Sequence, residues 1–110
     1  MYQIHITDAA TTDIKEALTY IKDRLQNPVA ASNLADEISE QLSLLKEYPY
    51  VGHQLRDSFL METGIRCLLI KNYRAFYIVS EEVDKKTVTI IRFLHARREY
   101  ESILLQGKDS

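Results

Sequence analysis

The sequence predicts an α+β domain: a small, mostly antiparallel β-sheet with an α-helical hairpin packed against it. Three observations carry that expectation. Two long stretches place apolar residues at helical spacing and are split by Asn27-Pro28. Three strand-like runs follow at close spacing between Ile65 and Leu94, and a short alternating run opens the chain. At 110 residues the chain fits a single domain over 1–110, long enough to bury roughly two-thirds of its unfolded surface.

Residues 2–7 (YQIHIT) alternate with a β-branched bias and read as an N-terminal strand. Asp8 is placed to cap a helix by accepting its first free N–H groups. Ile14, Leu18, Ile21 and Leu25 then fall on one stripe of a helix running to about Gln26. Asn27 suits an N-cap, and Pro28 suits the first turn, where a missing N–H costs nothing. The second stripe is Ala31, Leu34, Ile38, Leu42 and Leu45, in a helix to about Glu47. Tyr48-Pro49 ends it, because proline disfavours helical geometry in the residue before it. A loop from Gly52 to about Gly64 leads into the runs 65–70, 73–79 and 87–94. Lys71-Asn72 suits a tight connection and 80–86 a charged turn, so the three form an antiparallel C-terminal meander. The tail 96–105 suits either a short helix or an extended segment.

Composition narrows the function. Hydrophobic residues make up 45% and charged residues 27%, an ordinary globular balance. The opening MYQIHITDAA lacks the pattern of a signal peptide, and no stretch approaches the roughly 18 apolar residues of a membrane span, so no membrane partner is expected. Cys67 is the lone cysteine, which fits a reducing cytoplasm. A net charge of −2 argues against non-specific nucleic-acid binding. That average hides an asymmetry. Residues 1–63 carry 5 Lys/Arg against 10 Asp/Glu; residues 64–110 carry 9 against 6. Arg66, Lys71 and Arg74 stand within 64–80 without an acid, as do Arg92, Arg97 and Arg98 within 92–98. Such segments suit phosphate, an acidic partner, or salt bridges to the acidic helices.

Alternation places Arg74, Phe76 and Ile78 on one face of their strand and Tyr73, Tyr77 and Val79 on the other. By the same rule Ile91, Phe93 and His95 share a face, opposite Arg92 and Leu94. Arginines at strand ends can then reach the rim of a cleft while apolar neighbours hold the sheet to the helices. Guanidinium groups are permanently charged forks suited to phosphate or carboxylate. His95 has the chemistry of a general acid, or serves as a polar strand end. Tyr100 can stack on a base or pack the tail onto the sheet. His5, His53, His95 and Cys67 show no metal-ligand spacing, and three glycines form no phosphate loop; no metal and no cofactor is expected.

The order of these elements resembles the RelE/ParE superfamily, toxins of type II toxin–antitoxin systems. The runs 72–79 (NYRAFYIV) and 88–100 (VTIIRFLHARREY) carry the likeness, which extends over nearly the whole chain. In that family a "YR-x-x-Y" strand is followed, after a short charged turn, by a strand ending in an arginine cluster. The resemblance implies a cytoplasmic growth-arresting toxin with a cognate antitoxin as partner. It implies one of two targets: DNA gyrase, as in the ParE branch linked to plasmid stabilisation, or the ribosome with its mRNA. If the chain cuts RNA, Arg74, His95 and Arg97 are the catalytic candidates, with Arg74 at the scissile phosphate. The target-binding candidates are Arg66, Lys71, Arg92, Arg98 and Tyr100. Two departures weaken the nuclease pattern. Arg66 stands where a base is expected, and arginine is a poor proton acceptor. Ile103 stands six residues past Arg97, where those relatives often carry a tyrosine. The long hairpin, the "NP" break and the "P-x-x-G" loop resemble the ParE branch, so gyrase inhibition is the first expectation. Ribosome-dependent mRNA cleavage is the alternative, and a detoxified relative that only binds a partner is the third.

Overall fold

The computed structural model describes residues 1–55, 60 and 63–106. Its elements are β1 (Gln3–Ile6), α1 (Asp8–Thr19), α2 (Pro28–Glu47), β2 (His53–Gln54), β3 (Arg66–Ile70), β4 (Tyr73–Glu82), β5 (Lys85–His95) and α3 (Glu101–Gln106). The strands form one five-stranded sheet in the order β1-β5-β4-β3-β2. Only β1 runs parallel to its neighbour, pairing Gln3 with Thr87 and Ile6 with Ile90. The expected α+β architecture is present. The strand His53–Gln54 was not anticipated: two residues inside the expected loop add an outer strand to β3. The rest of that loop lies partly outside the described residues.

Thr7, rather than Asp8, caps α1: its hydroxyl accepts the Ala10 N–H at 3.1 Å while also donating to the Ile91 carbonyl. Asp8 instead occupies the first turn, where a negative charge suits the helix dipole. The helix does not run regularly to Gln26. It widens into a π-helical turn over Tyr20–Arg24, where the Leu25 N–H reaches the Tyr20 carbonyl, and stops at Gln26 with φ of 49°. That widening turns Leu25 off the core stripe and leaves it exposed. Asn27 and Pro28 behave as expected: Asn27 Oδ1 accepts the Ala30 N–H at 3.1 Å, and Pro28 opens α2.

The hairpin packs on one face of the sheet. Ala17, Leu34 and Ile38 meet Ile70, Ala75 and Phe93, and Ala10 and Leu45 meet Tyr77, Val88 and Ile90. Helical structure also covers part of the opposite face. There α3 buries Leu104 against Leu55, Leu60, Ile65, Cys67, Phe76 and Leu94. One irregularity decides which side chains face which layer. Phe76 pairs with Arg92 but Tyr77 pairs with Ile90, so Ile91 is an extra residue in β5. Strict alternation therefore fails: Ile91 packs with the α3-side cluster, while Phe93 joins the hairpin-side core. The β4–β5 turn is also tighter than expected. Glu81 faces Lys86 and Glu82 faces Lys85 within the ladder, and these opposite charges extend both strands to a tip at Val83-Asp84.

Candidate functional site

The arginines gather where β4 begins and β5 ends. Lys71 adopts a φ of 52° in the tight turn before β4 and is exposed there. Three residues on, Arg74 pairs with Leu94 and points to the α3 side of the sheet. Its guanidinium lies 5.6 Å from the centre of the Tyr100 ring, a cation–π arrangement. Tyr100 in turn packs on Phe76 with ring centres 5.0 Å apart. Tyr100 thus both packs the tail onto the sheet and supports Arg74. After β5 the chain turns sharply. Asn72 O accepts the Ala96 N–H at 2.7 Å, and His95 O accepts the Arg98 N–H at 2.9 Å. This brings Arg97 and Arg98 beside Arg74, so that Arg74, Arg97, Arg98 and Tyr100 line one open pocket of about 370 Å³ with Glu99 and Glu101 on its rim. Arg74 and Tyr100 also wall a narrower slot of about 190 Å³ whose other sides are His53, Leu55, Cys67 and Leu69.

The remaining site residues named from sequence go elsewhere. His95 sets its ring edge-on to Tyr73, at 5.2 Å, and Tyr73 stacks on Phe93 in the hairpin-side core. His95 is therefore on the opposite side of the sheet from the Arg74–Tyr100 pair. Arg92 is gripped by Asp13: Nε and Nη2 donate to the two carboxylate oxygens at 2.7 and 2.9 Å. Asp13 also accepts the Phe93 N–H at 3.0 Å, closing the edge of β5 where β1 has ended. Arg92 is thus tied into the fold, its guanidinium held in the charged form by that carboxylate. Arg66 is tied as well. It donates to the carbonyls of Gly52 and Tyr50, both at 3.0 Å, and lies over the Tyr50 ring. Lys71 does not line the arginine pocket.

Asp13 is the residue that sequence reasoning missed, and a signal for it existed. It falls three residues after Ala10 and four before Ala17, the other two buried positions of α1. A carboxylate on a buried stripe requires a partner. Two other groups define what the pocket can do. Burial pushes the Cys67 thiol up to about 11 despite the nearby Arg74 charge, so it is no nucleophile at neutral pH. Glu99 caps the final helix, accepting from Ser102 N–H at 3.1 Å and Ser102 Oγ at 2.7 Å, and these bonds hold its carboxyl below the usual range. Among the described residues no group of His, Cys, Asp and Glu is arranged to hold a metal ion, and no helix is long and apolar enough to cross a membrane.

Comparison with solved structures shows the same fold in small toxins. The chain is similar to a protein of the chromosomal ParDE toxin–antitoxin system from P. aeruginosa, with a TM-score of 0.68 and 20% identity over 88% of this chain and 98% of that one. It is similar to a YoeB/ParE toxin from Agrobacterium tumefaciens, with a TM-score of 0.58 and 15% identity over 84% and 97% of the two chains. A third likeness is to the RelBE2 toxin–antitoxin complex from Mycobacterium tuberculosis, with a TM-score of 0.55 and 21% identity over 86% and 96%. No curated protein matches. The family model of the ParE toxin of the type II toxin–antitoxin system, parDE, matches residues 4–100, and the chain belongs to that family.

Proposed function

We propose that the chain arrests bacterial growth by binding and inhibiting DNA gyrase, and that a cognate antitoxin neutralises it. The observation that carries the choice of mechanism is the separation of His95 from Arg74 across the sheet. Cutting RNA requires a base for the 2′-hydroxyl and an acid for the leaving oxygen within reach of one phosphate. The rim carboxylate of Glu99 is already engaged as a helix cap. What gathers at the pocket is guanidinium charge over an aromatic ring, a surface made to bind rather than to move protons. The resemblance to the ParE branch supports the same reading. The antitoxin is expected to bring acids opposite Arg74, Arg97 and Arg98, covering and neutralising the surface together. The proposed compartment is the cytoplasm, where gyrase works.

Expression of the chain alone, followed by RNA sequencing and a supercoiling assay with the purified protein, tests this. Growth arrest with inhibited supercoiling and intact mRNA is the expected result. Cuts mapped within translated codons would establish ribosome-dependent cleavage instead. Normal growth with confirmed soluble protein would leave the partner-binding role alone.

A further inference from the structure

The imidazole of His95 stays away from the arginine pocket, yet it touches the chain that forms it. The ring is anchored edge-on against Tyr73, which Phe93 backs at 5.0 Å. From that position Nδ1 accepts the backbone N–H of Arg97 at 3.1 Å. The His95 carbonyl accepts the next N–H, that of Arg98, at 2.9 Å. With the Ala96 N–H taken by Asn72, three successive donors after β5 are satisfied, two of them by His95 itself. A side-chain acceptor that takes the N–H two residues on is the geometry of an Asx-turn, which asparagine and aspartate use to hold tight reversals. Here an imidazole fills that place.

We infer that His95 is a positioning residue: it caps the turn that carries Arg97 and Arg98 into the pocket beside Arg74, and it is not a proton donor. The inference rests on the arginine surface being the functional one. An Nδ1 that accepts an N–H carries no proton, so the ring is the Nε2–H tautomer. Only five residues, 96–100, separate β5 from α3, and two of them are the arginines. With the acceptor lost, the Arg97 N–H turns to water and the link samples more conformations. Both guanidinium groups then have more freedom to lose on binding.

Two variants separate the acceptor from the ring. His95→Asn keeps an acceptor at the same reach and discards the ring; His95→Phe keeps the ring against Tyr73 and discards the acceptor. In the supercoiling assay His95→Asn should stay close to wild type. His95→Phe should need about two- to tenfold more protein, the equivalent of one turn hydrogen bond. Amide exchange at Arg97, followed by NMR, should accelerate in His95→Phe and remain slow in His95→Asn. Correlation of the imidazole nitrogens in the wild type should show the Nε2–H tautomer. The Nδ1–H tautomer, or His95→Asn as weak as His95→Phe, overturns the inference. Loss of all activity in both variants with slow exchange retained also overturns it, since that is the behaviour of a proton-transfer group. If the wild type does not inhibit supercoiling, the gyrase reading fails, while exchange and tautomer still decide the role of His95.

Discussion

Replacing Asp13 with alanine removes the charged link between α1 and the irregular stretch of β5. The carboxylate takes two charge-assisted bonds from Arg92 and one from the Phe93 N–H, and only 7% of its side chain is exposed against 27% for Arg92. Breaking a buried pair from one side costs about 3–5 kcal/mol, because the surviving charge is left without a partner. Arg92 keeps access to water and partly rehydrates, which puts its share near the low end, about 3 kcal/mol. The orphaned Phe93 N–H adds about 1 kcal/mol. A domain of this size loses about 4–8 °C of Tm per kcal/mol, so Asp13→Ala should melt more than about 10 °C below wild type. Urea denaturation of Asp13→Ala, Arg92→Met and the double variant measures the coupling directly. The double variant should be more stable than the two single losses together predict, by at least about 1.5 kcal/mol. A loss below about 1 kcal/mol in Asp13→Ala, or strict additivity in the cycle, would refute the assignment of Asp13 as a structural clamp.

Other perturbations test the pocket and its supports. Arg74→Ala and Arg97→Ala should each weaken supercoiling inhibition in a graded way, about tenfold, with melting unchanged; full toxicity in both would remove the pocket as the site. Gly52→Ala should destabilise by about 2–4 kcal/mol in urea titration, more than a cavity-free surface change. An added Cβ there would stand 2.6 Å from the Tyr77 hydroxyl and 2.7 Å from the Cys67 carbonyl. Cys67, with its thiol pushed up to about 11 from 9.0, should resist alkylation at pH 8 in the folded protein. Its protonated form is favoured in the native state, so its contribution to stability is complete below about pH 9 and declines up to about pH 11; Cys67→Ala should lack that decline. Antitoxin association measured by stopped flow should slow as salt rises, and slow again in Arg97→Glu/Arg98→Glu; a rate indifferent to both would discount electrostatic steering.

The helices and the meander were legible because each rests on local chemistry: periodic stripes, Asn27-Pro28 as a start signal, Tyr48-Pro49 as a stop. The parallel pairing of β1 with β5 was not, since nothing in residues 2–7 records a partner more than eighty positions away. The extra residue at Ile91 was hidden for a related reason. A bulge arises from the fit between two strands, and alternation within one strand cannot reveal it. For the site, the spacing of cations without acids named Arg74 in one run and Arg97 and Arg98 in another, and Tyr100 was named for its aromatic ring; the structure lines one pocket with all four. The same spacing also selected Arg66 and Arg92. Their neutralising partners, the Gly52 and Tyr50 carbonyls and Asp13, come from remote parts of the chain, so a count of nearby acids could not reveal them.

The pairing of β1 with β5 also fixes when this molecule comes into being. At synthesis rates of about 5–20 residues per second, roughly 4–17 s pass between Ile6 and its partner Ile90 leaving the peptidyl-transferase centre. Until then the apolar side of α1 has no sheet to meet, because Phe93, Val88 and Ile90 do not yet exist. Contacts this distant in sequence slow folding further once the chain is free. Arg97, Arg98 and Tyr100 follow β5 out of the ribosome, so the arginine pocket is assembled only after the last strand of the sheet has been made. A nascent chain interrupted before Thr87 lacks the interior strand on which both the rest of the core and the arginine pocket are built.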